Sequence, residues 1–394
     1  MEDFKSTIEK VIDEYIIEQG YEAPKVSFAA TARNFSSVAK RITIEGIKDG
    51  CKVTKYLFVK TLTDSEARNE RLKLSSKFER ETTMYKNVFK EFEELQKELP
   101  NCEKFPFINC VKSESNFLIL EDLMKKGYED VSYNRNTLDV DLISMMVQEL
   151  AKFHSFSFAL KLKKPERFKE LIEELDDIFV APHRAKLVFE RSLQFAVDAM
   201  TNEEVKAKLI KNGKNIIENA MQQSSPPKYG VICHGDYNLR NVVFKYNEVR
   251  KPTGMVMIDF QLSHYSSPVR DIFFLVASSM SSQLRNQHYS NLLELYYGSL
   301  SKFLELLQCD VSHCYPKKEF EKDLKYHFPS AFSQSLIVLR VLCSPDKSDD
   351  DLDKMYEGPK GGGSIFDYNC SDAEKEYEER INGLMNHYVS LNLI

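Results

Sequence analysis

Residues 231–246, VICHGDYNLRNVVFKY, set an imidazole, an acid, an arginine and an amide between two apolar, β-prone runs. A second apolar run, MVMIDFQLS at 255–263, again ends in an acid. A plain hydrophobic core gives no reason to place an Asp twice at the edge of a buried strand. Asp236 could accept a proton, while Asn241 and Asp259 could ligate a hard cation through oxygen. Mg²⁺ favours such ligands and is usually held by few protein groups plus phosphates and water. A base for an attacking hydroxyl, with metal ligands that neutralise charge on the β- and γ-phosphates, is the equipment of phosphoryl transfer.

The Asp-x₄-Asn spacing, with Asp-Phe downstream, matches the catalytic loop and metal-binding acid of protein kinases. His-Gly-Asp alone would be ordinary turn chemistry. The conjunction of HGD, four residues, Asn, hairpin and IDF is the specific signal. A kinase also needs a cation on the phosphates. Lys60 ends the apolar run KYLFVKTL, and about twenty residues later FERETTMY offers Glu81 as its partner, with Glu79 and Arg80 as competing charges. The run FLILEDL (117–123) reads as a strand entering a connection where backbone groups of Glu121, Asp122 and Leu123 would meet adenine, their side chains being structural. TARNFSS (31–37), with Asn34, is the expected phosphate-covering turn, although it lacks the glycines that normally permit close backbone approach. In SSPVRDIFFLV, Ser267 and Pro268 predict a helix start, with Asp271 in the first turn as a dipole-favoured acid or as a brace for the catalytic loop.

These side chains need elements to hold them. At 394 residues the chain exceeds the usual single-core limit, so two lobes are expected. With 42% apolar and 29% charged residues it has the composition of an ordinary globular protein. A net charge of −6 without a basic run argues against a nucleic-acid partner. No run approaches a membrane span, and the acidic, amphipathic N-terminus lacks the form of a signal peptide. Eight scattered cysteines then read as reduced thiols in the cytoplasm. Cys309, His313 and Cys314 have a tempting metal spacing but lack a second ligand pair.

Helical periodicity occupies the first 20 residues, and strands are predicted within 25–46, 51–62, 107–112 and 117–123, with a helix over 76–95. A long helix capped by Thr137 follows, then helix over 184–222, a hairpin around NEVRKPTG, and mainly helix after Ser267. SPDKSDDDLDKMYEGPKGGGS (344–364) interrupts this as a loop. The order gives an α+β chain with a β-rich first part and a larger helical second part, divided within 121–127.

Together NFSSVAKRI, LFVKTL, FERETTMY, LILEDL, LAKFHSFSFAL, CHGDYNLRNVVFKY, MVMIDFQLSHYSSPVRDIFFLV and KEYEERINGLM resemble the ecdysteroid kinase-like family of insects, within the wider choline kinase and aminoglycoside phosphotransferase group. The resemblance implies a bilobal protein-kinase-like fold, with residues 1–122 as the nucleotide-binding lobe and 123–394 as the lobe of the catalytic loop and acceptor pocket. It implies transfer from ATP, with Mg²⁺, to a hydroxyl of a small-molecule alcohol such as an ecdysteroid or related steroid or xenobiotic, in hormone metabolism or detoxification. Carried over, Asp236 is the base, Asn241 and Asp259 the metal ligands, Lys60 the phosphate-binding lysine, Glu81 its partner and His234 a loop support. His154 fits the pattern and reads as a core histidine. Ala32 stands where the family usually has glycine. A monomer is expected. A cationic amino-alcohol acceptor, or a catalytically silent kinase-fold binding protein, are the alternatives.

Overall fold

The computed structural model describes residues 6–30, 37–63, 65–101, 103–131, 138–175, 182–223, 226–345, 351 and 370–394. Asn34, Ala32, Thr137 and nearly all of the loop after Pro345 lie outside the described residues. The described chain forms two compact units. One holds residues up to Val88 together with Phe107–Glu129, and the other holds Phe89–Pro106, Asp130–Pro345 and the C-terminal residues.

The first unit opens with α1 (Thr7–Gln19). Ser6 caps it reciprocally, its hydroxyl taking the Glu9 amide while the Glu9 carboxylate takes the Ser6 amide at 2.7 Å. Gly20, at φ +69°, ends it. The apolar stripe Ile8, Val11, Ile12, Tyr15 and Ile16 clusters with Ile42, Ile44, Leu57, Val59 and Ile119 of the sheet. That sheet runs β1 (Glu22–Ala30), β2 (Val38–Lys48), β3 (Cys51–Thr61), β5 (Phe117–Glu121), β4 (Cys110–Ser113) in spatial order, every neighbouring pair antiparallel. Asp49 and Gly50, both at positive φ, make the tight β2–β3 turn. α2 (Glu66–Leu72) and α3 (Leu74–Thr83) follow β3. The single helix expected over 76–95 is instead α3, a π turn at Met84–Val88, and α4 (Phe89–Leu95). A hydrophobic pattern does not reveal a one-residue insertion of this kind, because apolar positions continue through it.

In the second unit, α5 (Val140–Lys163) buries almost its whole central length. Its cap is Asp139, which accepts the Leu142 amide at 2.9 Å. Phe153 and Phe156 of α5 meet Phe92 of α4 at ring separations of 5.9 and 5.1 Å, and Phe153 meets Phe260 at 5.8 Å. A short strand β6 (Tyr128–Asp130) precedes α5 in sequence, and α6 (Pro165–Glu174), α7 (Pro182–Asp198) and α8 (Glu203–Gln222) follow it. The helical stretch predicted over 184–222 is thus two helices, divided where the Asn202 side chain takes the Glu204 and Val205 amides and starts α8.

Strand β7 (Val231–Cys233) pairs with β10 (His264–Ser266), and β8 (Val242–Tyr246) with β9 (Pro252–Met257), both antiparallel. The remainder is α9 (Val269–Ser279), α10 (Ser282–Leu306), α11 (Val311–Cys314), α12 (Lys317–Tyr326), α13 (Phe328–Leu342) and the C-terminal helix Ser371–Ser390. The α+β expectation, strands first and helices after, is what the chain adopts. Among the described residues no helix is long and apolar enough to cross a membrane, and all the cysteines are free.

Two histidines make the helical unit sensitive to acid. Burial, aided by Arg270 beside one and Arg285 beside the other, lowers His327 and His387 each to about 4. Between pH 6.5 and 4 the unfolded chain takes up protons at these positions while the folded one does not, so stability is full above 6.5 and falls as pH drops. The difference amounts to about 3 kcal/mol per histidine at the bottom of that window. Urea denaturation at pH 7 and pH 4.5 should show the loss, and a His327→Gln, His387→Gln double variant should lose less over the same interval. An unchanged pH dependence in the double variant contradicts this account.

Candidate active site

β7 ends at Cys233, and the chain must then turn sharply to bring Asp236 and Asn241 together. Gly235 makes the turn at φ +82°, where a Cβ would lie 2.0 Å from the carbonyl oxygen of Leu262. No other residue fits. Beyond it the Asp236 carboxylate is clamped at both oxygens: Asn238 Nδ2 donates to Oδ1 at 2.9 Å and Asn241 Nδ2 to Oδ2 at 2.8 Å. Both amides also donate to the Asp236 carbonyl. With its nitrogen so engaged, Asn241 has its amide oxygen left as a donor to a cation.

Asp259 reaches the same hairpin from the other strand. The Ile258 amide donates to the Asn241 carbonyl at 3.0 Å, and the Ile258 carbonyl lies 3.0 Å from His234 Nε2. Asp259 follows at φ +64°, a left-handed conformation uncommon outside glycine. Phe260 anchors it, with its ring 4.8 Å from that of Phe89 and 4.7 Å from that of His234. Non-glycine residues persist in such conformations where the surroundings over-determine them, often at functional sites. Gln261 Nε2 approaches Asp259 Oδ2 at 3.3 Å. The structure therefore brings Asp236 and Asn241 into direct contact and ties the backbone beside Asp259 to Asn241.

His234 is fully buried, and burial holds its imidazole below the ordinary value against the pull of Asp271 and Asp259. A neutral ring there accepts the Asp236 amide at 3.4 Å, as expected of a loop support. Asp271, 1% exposed in the first turn of α9, accepts the His234 amide at 2.7 Å and the Gly235 amide at 3.0 Å. The brace, rather than the helix dipole alone, is what its geometry gives. His154 of α5, wholly buried, joins Asp271 at 3.1 Å and the Tyr296 hydroxyl at 2.7 Å. Burial would raise the Asp271 carboxyl, but the bond from His154, the nearby imidazoles and the Gly235 amide hold it below its ordinary value. Ser267 does not cap α9. Pro268 is the cap residue, with no side-chain bond, and the Ser267 hydroxyl donates instead to Asp323 at 3.1 Å.

Ligand atoms of His154, Cys233 and Asp271 lie within 4.8 Å of one another. Each is already engaged, Cys233 Sγ with the Ser267 carbonyl at 3.4 Å, and burial pushes that thiol well up, so the trio is a hydrogen-bonded brace rather than a metal centre. Near Cys309, His313 turns to Asp310 at 3.0 Å.

In the first unit, Lys60 Nζ and Glu81 Oε2 pair at 2.6 Å, with side chains 5% and 2% exposed. Lys60 sits near the end of β3, opposite Ala39 and Leu118, and Glu81 lies on α3. Of the competing charges, Glu79 is exposed and Arg80 buried. Glu121 takes the Asn109 amide and Lys126, while Asp122 takes the Met124 amide and sits 3.4 Å from Arg41. Their side chains are structural. Their own amides are also taken, by the Asn109 and Tyr56 carbonyls.

Sequence reasoning missed Asn238 and Tyr296. The signal for Asn238 was its place two residues after the acid, where an amide can turn back on its neighbour. Tyr296 lies 142 positions from His154, and nothing local marks it.

Asp271→Asn removes a charged acceptor of two backbone amides and should destabilise the protein by about 3 kcal/mol, read by urea denaturation. Gly235→Ala should cost at least as much, since strain and a backbone clash both oppose it. A loss below about 1 kcal/mol in Asp271→Asn contradicts the brace.

The profile of the ecdysteroid kinase-like family matches residues 31–309, well over half of the chain. Comparison with curated proteins gave no match. The β-rich sheet, the helical second part and the hairpin with its paired acid and amide are consistent with a kinase-like fold and a small-molecule kinase-like activity, a phosphotransferase function that implies ATP use. The chain belongs to the ecdysteroid kinase-like family.

Proposed function

We propose that the protein uses ATP and Mg²⁺ to phosphorylate a hydroxyl of an ecdysteroid or a related steroid or xenobiotic alcohol, as a cytoplasmic monomer in hormone metabolism or detoxification. The observation that supports it best is the direct pairing of Asp236 with Asn241 at 2.8 Å, beside an Asp held at positive φ. The donor set suits a hard cation: the Asn241 amide oxygen and the Asp259 carboxylate would hold it. Bound there, Mg²⁺ would supply charge neutralisation on the β- and γ-phosphates.

Asp236 takes the proton from the acceptor hydroxyl as that oxygen attacks the γ-phosphorus and the bond to the β-phosphate oxygen breaks, releasing ADP. Lys60, oriented by Glu81, places an ammonium on the α- and β-phosphates. The backbone around Leu123 meets adenine. Residues 1–122 then form the nucleotide-binding part and 123–394 the part that carries the loop and a largely apolar acceptor pocket.

Asp236→Asn should lower turnover at least about a hundredfold, through loss of the base and of its orientation. Mg·ATP at millimolar concentration should raise the melting temperature of the native protein, because it binds only the folded state. Phosphate transfer to ecdysone, but not to choline, is the expected acceptor preference. Near-normal turnover in Asp236→Asn rejects the base assignment, the reverse acceptor preference rejects the steroid reading, and no thermal shift rejects nucleotide binding.

A further inference from the structure

Asn238 is 4% exposed and sits two residues beyond the proposed base. Its side chain has one possible orientation. Oδ1 accepts the Arg240 amide at 2.8 Å, the bond that opens the single 3₁₀ turn Leu239–Asn241. Nδ2 therefore faces back, where it meets Asp236 Oδ1 and the Asp236 carbonyl, each at 2.9 Å. The Asp236 carboxylate is consequently gripped from two sides by two amides, and its plane cannot rotate without breaking one of the grips. Asn238 and Asn241 hold different oxygens of the one planar group, so together they resist its rotation about the bond to Cβ.

We propose that Asn238 is a positioning residue that fixes the rotation of the Asp236 carboxylate, so that the base presents a constant face to the acceptor hydroxyl. This rests on the kinase reading of the site. The grip on Oδ1 requires an N–H donor, whereas the bond to the Arg240 amide requires only an acceptor. The two roles of the residue are therefore separable by substitution. Asn238→Asp keeps an oxygen for Arg240, and Asp is as good as Asn at starting a helical turn. It replaces the donor to Asp236 by a second carboxylate. A misoriented base forfeits part of the gain from a near-attack geometry, and misplacement of about 1 Å can cost a hundredfold. In this reading Asn238 holds neither the metal nor the phosphates, so KM for Mg·ATP is expected to stay close to wild type.

Steady-state kinetics with Mg·ATP and ecdysone test this on wild type, Asn238→Asp and Asn238→Ala, each with its melting temperature measured. Expected is a fall in kcat of about ten- to a hundredfold in both variants, with KM for Mg·ATP within about threefold of wild type and each variant still folded at the assay temperature, although the second buried carboxylate of Asn238→Asp lowers its melting temperature. Wild-type kcat in Asn238→Asp overturns the proposal, as does a loss confined to KM. A wild-type protein that transfers no phosphate to any alcohol while remaining folded overturns the kinase reading itself, and this proposal with it.

Discussion

The Asp271 carboxylate is the interaction on which the site depends. It is buried with 1% exposure, so its charge survives only because donors surround it: two backbone amides at 2.7 and 3.0 Å and an imidazole at 3.1 Å. Those amides belong to His234 and Gly235, the residues through which β7 turns toward Asp236. A carboxylate in the first turn of α9 thereby sets the backbone of a loop 36 residues earlier in the chain. His154 and Tyr296 extend the same network to α5 and α10. Such a network is worth having only when complete, since a buried polar group without its partner costs more than the bond returns.

Downstream of that brace the hierarchy is short. The turn at Gly235 delivers Asp236, two amides fix its carboxylate, and the Ile258 amide couples the second strand to Asn241. Phe260 plugs into the aromatic cluster of α4 and α5 and so holds Asp259 in a conformation an isolated chain would avoid. The first unit has its own self-contained device, a lysine and a glutamate paired at 2.6 Å and almost wholly shielded from water. Burying both ions is expensive, and such a pair is retained for geometry more readily than for net stability. Each unit thus carries one portion of the equipment proposed for phosphoryl transfer.

Much of this was legible in the sequence where the physics is local. Alternation marked β3 and placed Lys60 near its end, and the turn residues of NEVRKPTG marked the β8–β9 hairpin. The spacing of Asp236 and Asn241 is local too, because four intervening residues can close on themselves. Less visible was whatever depends on distant partners or on one residue of register. The π turn at Met84–Val88 hid inside a helical pattern, and β10 was too short to stand out. Ser267 reads as a cap by its neighbours, yet Asp323, 56 positions on, draws its hydroxyl away. His154 looked like a core residue and is one, but its bond to Asp271 across 117 positions had no local sign.

The central claim is that Asn241 and Asp259 together hold the metal of a nucleotide whose transfer Asp236 assists. A crystal structure of the protein with Mg²⁺ and a non-hydrolysable ATP analogue tests it most directly. The account predicts a magnesium ion bonded to the Asn241 amide oxygen and an Asp259 carboxylate oxygen at about 2.1 Å, and to oxygens of the triphosphate. A nucleotide bound with its metal on other side chains, or an Asp259 carboxylate turned away from that ion, would contradict it.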